Sequence, residues 1–344
     1  MKKLLKRVLA CSFILCMTGG AGSVSAQIPA EVRNNAQHVQ FVQQHNGWKI
    51  AGNLYLPSNY QPGKKYPAII TVHPGGGVKE QTSGLYAMLL AKKGFVTLAF
   101  DATHQGESEG EPRYIEIPTE RVEDIRSAVD YLTTLPQVDA NKIGVLGICA
   151  GGGYSISAAQ IEHRIKALAT VSAVDVGNIA RQGWDGKGIP VAEHRKAIEA
   201  VAEQRTAEAN GAPVRYVHIV PTREEITADT PNDIVEASEY YTEARGQYPT
   251  AKNMAMFSGS DAVYSFHAFS DMETLLTQPS LFIIGTKAES LWQSELAYSK
   301  ATAAASRELY RINDATHMDL YDVTKFVNQA VDKLTKFFNQ NLGK

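Results

Sequence analysis

Residues 144–153 read GVLGICAGGG, a single cysteine set among glycines as Gly147-Ile148-Cys149-Ala150-Gly151 with Gly152 and Gly153 behind. The lead-in KIGVLGI (142–148) is a short apolar run that predicts a buried strand, and the residues after Cys149 predict a helix to about His163. A strand that ends in glycine–x–nucleophile–x–glycine and turns straight into a helix is a nucleophile elbow. Such a turn strains its central residue and lifts that side chain above the sheet edge. The flanking glycines follow from space, since a Cβ at 147 or 151 would collide with the neighbouring strand and helix. The helix amino terminus presents free N–H groups and positive potential, which predicts a Cys149 thiol of lowered pKa.

The pattern on either side repeats the strand–helix rhythm. Residues 38–56 alternate apolar and polar about His45-Asn46-Gly47, as a hairpin does. Strands are predicted at 68–73 (AIITVH), 95–100 (FVTLAF), 165–174 (IKALATVSAV), 280–285 (SLFIIG) and 308–313 (ELYRIN), with helices over 83–94, 119–135, 290–303 and 320–341. Continuous β-rich runs alternating with helices imply an α/β fold with a mostly parallel sheet covered on both faces. Residues 176–278 interrupt the rhythm. They are polar and Tyr-rich, with helices expected near 192–210 and 232–245. The expected organisation is a leader at 1–26, a first core segment at 27–175, a helical cap inserted at 176–278, and a second core segment at 279–344.

Chain order assigns further parts to the site. His73-Pro74-Gly75-Gly76-Gly77 follows the strand AIITV, where an elbow enzyme places its oxyanion loop. The N–H groups of Gly75 and Gly76, with that of Ala150, are the expected oxyanion donors. Of nine histidines, His317 alone lies beyond the insertion, on the loop after the last strand, where the base belongs. The acid should follow the strand SLFIIG, which singles out Glu289 to orient the imidazole; Asp175, after the strand ending at Val174, is the alternative. Asp101 and His104 are read as braces for neighbouring loops, and Glu80 as a residue near the thiol.

The first residues have a different character. MKKLLKR is a basic segment, VLACSFILCM a short apolar core, and SVSA a small-residue ending, which together predict an export signal cleaved after Ala26. Cleavage would remove Cys11 and Cys16, leaving Cys149 as the sole cysteine of a secreted or periplasmic protein. An unpaired thiol in an oxidising space needs a reason, catalytic or structural. The formal charge would move from −2 to −6, which argues against nucleic acid or anionic lipid as a partner. No later stretch reads as a membrane span, and no metal cluster, phosphate loop or dinucleotide fingerprint appears, so neither metal nor cofactor is expected.

HPGGG, the elbow, the acid after the penultimate strand and the late histidine together resemble the α/β-hydrolase superfamily. With cysteine in the elbow, GICAGGG is similar to dienelactone hydrolase and its relatives. VKEQ, FDATHQGES, TVSAVDVG and ATHMDLYD extend the likeness over residues 38–340 to the bacterial YcjY-like hydrolases, a group similar in turn to fungal polyketide thiohydrolases and acyltransferases. The resemblance implies acyl-transfer chemistry on an ester, lactone or thioester, with Cys149 as nucleophile, His317 as base and Glu289 as orienter. Two departures stand out: three glycines follow Ala150, which would enlarge the space beside the thiol, and the acid is Glu where Asp is commoner. The competing readings are a binding or redox-sensing protein that keeps the fold with a lone thiol, and a peptidase on the same scaffold.

Overall fold

A computed structural model describes residues 28–343, and the leader reading of 1–26 lies outside them. In chain order the strands are β1 (Gln37–Val42), β2 (Lys49–Tyr55), β3 (Tyr66–Val72), β4 (Val96–Phe100), β5 (Val138–Ile148), β6 (Ile165–Val171), β7 (Tyr216–Val217), β8 (Ala255–Met256), β9 (Ser280–Gly285) and β10 (Arg307–Ile312). Eight form one sheet in the order β1-β2-β4-β3-β5-β6-β9-β10. The hairpin β1–β2 is antiparallel and β2 runs antiparallel to β4, while every pairing from β4 to β10 is parallel. The expected α/β-hydrolase architecture is therefore present, and the elbow strand β5 lies inside the sheet.

Alternation along β5 sends its side chains into two cores. Leu146 and Ile148 join the layer that packs under helices Thr82–Lys92 and Thr324–Leu342. Ile143 and Val145 join the opposite layer, under helices Pro118–Thr134, Ala150–Ile161 and Leu291–Lys300. A strand buried on both faces has to be apolar throughout, which is why KIGVLGI lacks the polar alternation of β1.

The glycines are required by close backbone approach. A Cβ on Gly147 would lie 2.2 Å from the Gly151 carbonyl oxygen, and one on Gly151 would lie 2.3 Å from that of Val72 at the end of β3. These contacts bring the helix Ala150–Ile161 down against β3 and β5. The third glycine after Ala150 adds no space at the thiol. A Cβ on Gly153 would lie 2.4 Å from the Val174 carbonyl oxygen, so that residue lets the helix pass the loop leaving β6.

Residues 176–278 hold helices Val176–Gln182, Val191–Ala209 and Asn232–Thr242, shorter helical turns, and the two-residue ribbon β7–β8. The helix Asn232–Thr242 buries Asp233, Ala237 and Tyr241, four residues apart on one face, toward the carboxyl ends of the parallel strands. Arg245, three residues past that helix, grips Asp322 at the end of the short helix Asp319–Asp322 beyond β10 with two hydrogen bonds of 2.8 Å. Among the described residues no helix is long and apolar enough to cross a membrane.

Candidate active site

Cys149 occupies the turn between β5 and its helix at φ 53°, ψ −121°, a conformation that costs a non-glycine residue on the order of 1–3 kcal/mol. Its backbone is held on both sides: the N–H donates to Val171 O at 3.0 Å, and the carbonyl accepts from Gly152 N at 2.8 Å and Val174 N at 3.0 Å. The strained turn is thus fixed by β6 and the helix, and the side chain projects off the sheet edge into a cavity. The N–H groups of Ala150 and Gly75 act on the sulfur, each favouring its thiolate. Gly76 is placed differently. It has φ +66°, and a Cβ there would lie 2.3 Å from Ile219 of the cap, so it lets the loop pass under the cap.

The loop that carries Gly75 is braced from below. His73 is fully buried; its Nδ1–H donates to Pro74 O at 2.6 Å and its Nε2 accepts from Ala102 N at 3.0 Å, which defines a neutral tautomer. Burial, the Arg121 guanidinium and Lys79 hold this imidazole well below the usual histidine pKa. Arg121 donates to His73 O at 2.8 Å, pairs with Glu116 at 3.2 Å, and lies 4.7 Å over the Tyr154 ring.

His317 is fully buried on the loop after β10. Its Nδ1 meets Ser290 Oγ at 2.6 Å and its Nε2 lies 3.4 Å from the Tyr321 hydroxyl. The carboxylate beside it comes from the cap. Asp233, also fully buried, accepts from the His317 backbone N–H at 3.3 Å through Oδ1. Its Oδ2 accepts from Trp184 Nε1 at 3.0 Å, Glu289 N at 2.8 Å and Ser290 N at 3.3 Å. The charge of Asp233 acts on the imidazole and favours its protonated form. The Trp184 ring covers the histidine at 4.9 Å between centroids.

This geometry corrects both acids expected from chain order. Glu289 is exposed, and its carboxylate accepts the Asp233 backbone N–H at 2.9 Å instead of reaching a nitrogen of His317. Asp175 caps the helix Val176–Gln182 by accepting from Gly177 N at 2.9 Å, and its other oxygen accepts from Ala268 N at 3.0 Å. Both carboxylates serve backbone donors, as helix-entry acids commonly do. Glu80 is likewise committed elsewhere, pairing with buried Lys79 at 2.8 Å. Asp101 receives Lys79 Nζ at 2.9 Å and Glu107 N at 2.9 Å; His104 bonds Glu120 at 2.8 Å and Pro112 O at 3.0 Å. These last two residues do brace their loops.

Tyr321 lies between Cys149 and the histidine: its hydroxyl acts on the sulfur, favouring thiolate, and lies 3.4 Å from His317 Nε2. The cavity above them is about 210 Å³ and is lined by Val176, Ile179, Ile219, Val220, Ile234 and other apolar side chains, with no Lys or Arg among its lining residues. Burial pushes the Cys149 thiol up to about 11, against the Tyr321 hydroxyl and the Ala150 and Gly75 N–H groups, which favour thiolate. The thiol of lowered pKa expected from the helix terminus is not what this site holds. Burial also takes His317 down to about 4, with Asp233 opposing it. At neutral pH the pair rests as thiol and neutral imidazole. Among the described residues, no group of three or more His, Cys, Asp or Glu is placed to hold a metal ion.

Asp233, Ser290, Tyr321, Tyr241 and Arg121 did not emerge from sequence order. Two spacings do carry a signal: Tyr321 is four residues after His317, and Asp233 and Tyr241 sit on one helical face.

A strained cysteine on an elbow, a glycine-rich loop after β3 and a histidine after the last strand are arranged as the parts of an α/β-hydrolase site are. The dienelactone hydrolase family model matches residues 50–175. The protein YcjY of Escherichia coli (strain K12) is 41% identical over 294 residues, covering 85% of this chain and 94% of YcjY. PA2218 of Pseudomonas aeruginosa is 34% identical over 86% of this chain and 78% of its own length, and its crystal structure superposes with a TM-score of 0.82 at 31% identity, covering 96% and 100% of the two chains. Thiohydrolase aneE of Aspergillus aculeatus is 25% identical over 80% of this chain and 84% of its own. The chain belongs to the family that contains YcjY and PA2218, its residues 50–175 match the dienelactone hydrolase model, and it is a hydrolase.

The thiol's state can be read directly. Thiolate absorbance at 240 nm, taken as wild type minus Cys149→Ser, should stay absent up to about pH 9 and rise only toward the thiol's value of about 11. A titration complete below pH 8 would contradict the burial argument.

Proposed function

We propose that the chain is an exported acyl hydrolase that works through an acyl-enzyme on Cys149, with His317 as base and Asp233 and Ser290 as its orienters. The observation that carries this reading is the convergence on one sulfur: a strained elbow, two backbone donors, and a histidine reached through a single hydroxyl. Proton transfer runs from the Cys149 thiol to the Tyr321 oxygen as the Tyr321 proton moves to His317 Nε2. The sulfur attacks the substrate carbonyl carbon, and the oxyanion rests on the Ala150 and Gly75 N–H groups. Collapse breaks the bond to the leaving group, which takes the proton from the imidazolium. Water, deprotonated by His317, then cleaves the thioester and releases the carboxylic acid with the thiol restored.

Asp233 supports this path by stabilising the imidazolium, while the 2.6 Å contact from Ser290 fixes the ring. Esters and thioesters suit a sulfur nucleophile, because an amide's leaving group departs poorly. A half-buried thiol of raised pKa is a poor redox sensor, since sensing cysteines are rich in thiolate. A thiohydrolase among the relatives favours a thioester as one natural substrate form. Export rests on the basic–apolar–small pattern of residues 1–26, and a mature mass beginning at Gln27 in the periplasmic fraction tests it; a full-length cytosolic species would exclude it.

With p-nitrophenyl butanoate, Cys149→Ala and His317→Ala should each lower kcat at least ~1,000-fold with the fold retained. Asp233→Asn should lower kcat/KM by ~100-fold or more, because a carboxamide places N–H against the N–H groups of Trp184, Glu289 and Ser290. Glu289→Gln keeps an acceptor for the Asp233 N–H and should stay within about threefold. Equal losses in Asp233→Asn and Glu289→Gln would return the orienting role to Glu289.

A further inference from the structure

Tyr241 is 8% exposed, and its hydroxyl is buried with no hydrogen-bond partner. The side chain lines the cavity above Cys149, close enough to the sulfur for the two to interact electrostatically. The neighbouring hydroxyl does not relieve it. Tyr321 faces Tyr241, but its hydroxyl is directed to His317 Nε2 and the two phenols make no hydrogen bond of good geometry. Away from Cys149, His317 and Tyr321, the cavity walls are mostly apolar, with Ile234 and Ala237 from the helix that carries Tyr241, Val176 and Ile179 from the helix Val176–Gln182, and Trp184 just beyond it.

A buried hydroxyl without a partner is costly, and a site keeps one where a ligand atom completes it. The absence of Lys or Arg from the lining leaves a carboxylate-bearing acyl group without a counter-charge. On the reading of Cys149 as acyl carrier, we infer that Tyr241 selects a short, uncharged acyl group bearing a hydroxyl or keto oxygen within a few bonds of the reacting carbonyl. The apolar walls take the hydrocarbon part, and the Tyr241 hydroxyl bonds the substituent oxygen. A plain acyl chain of equal length fills the same space and leaves the phenol unpaired. Sites built to hydrogen-bond a substrate oxygen discriminate strongly against analogues lacking it.

The test compares p-nitrophenyl 3-hydroxybutanoate and 3-oxobutanoate with p-nitrophenyl butanoate, on the wild type and on Tyr241→Phe. Both chains are otherwise complete, and each kcat/KM ratio is taken on one protein sample, so it is independent of the folded fraction. The wild type should favour at least one oxygenated ester by roughly tenfold, and Tyr241→Phe should bring that ratio to one or below. A wild-type ratio of one or less for both esters, with butanoate turned over by Cys149, overturns this inference and leaves the triad intact. A tenfold ratio that persists in Tyr241→Phe overturns the role of Tyr241. Wild type inert toward all three esters overturns the acyl-enzyme reading and this inference with it.

Discussion

The carboxylate of Asp233 is the constraint on which the site depends. It is fully buried, and its charge is tolerable only because four N–H groups converge on its two oxygens. Those donors come from three places: Trp184 in the cap, the loop after β9, and the loop after β10 that carries His317. One group therefore fixes the cap helix, the histidine loop and the tryptophan over the imidazole relative to one another. The Thr316–Glu236 bond at 2.6 Å and the Arg245–Asp322 pair reinforce the same seam between cap and core. In this arrangement the cap completes the catalytic apparatus as well as shaping the cavity.

The resting protonation states follow from the balance of two effects on the sulfur. A helix amino terminus is worth about 0.3–1 kcal/mol to a nearby anion, less than one pKa unit. Desolvation acts the other way and prevails, taking the thiol from the ordinary cysteine range up to about 11, roughly 3 kcal/mol. The same burial lowers His317, so the base is free of a proton across the neutral range. A thiol held protonated at neutral pH is protected from adventitious oxidation.

The fold was legible because its central strands are buried on both faces, and such strands write themselves as unbroken apolar runs; β9 falls where SLFIIG predicts it, while the edge strand β10, half exposed and carrying Arg307, Glu308 and Arg311, still overlaps ELYRIN. The glycines at 147 and 151 were legible too, since their need arises from contacts one strand or one helical turn away. Chain order brought Cys149 and His317 to one cavity, and Asp233, between them in sequence, supplies the carboxylate beside the histidine. What misled the sequence reading was the assumption that the acid lies on a core loop. Glu289 is adjacent in sequence to Ser290, the residue that does touch the imidazole, yet its own side chain points to solvent and to the Asp233 backbone. The thiol's pKa was misjudged because burial by a cap depends on tertiary packing, while a helix terminus is visible locally.

The central claim is that Cys149 carries the acyl group. Mixing the protein with p-nitrophenyl butanoate, quenching in acid within milliseconds and measuring intact mass tests it most directly. The account predicts a butanoyl adduct on the peptide containing Cys149, formed faster than turnover and lost on incubation with water, and absent in Cys149→Ala. Turnover with no adduct at any quench time, or an adduct that persists in Cys149→Ala, would contradict it.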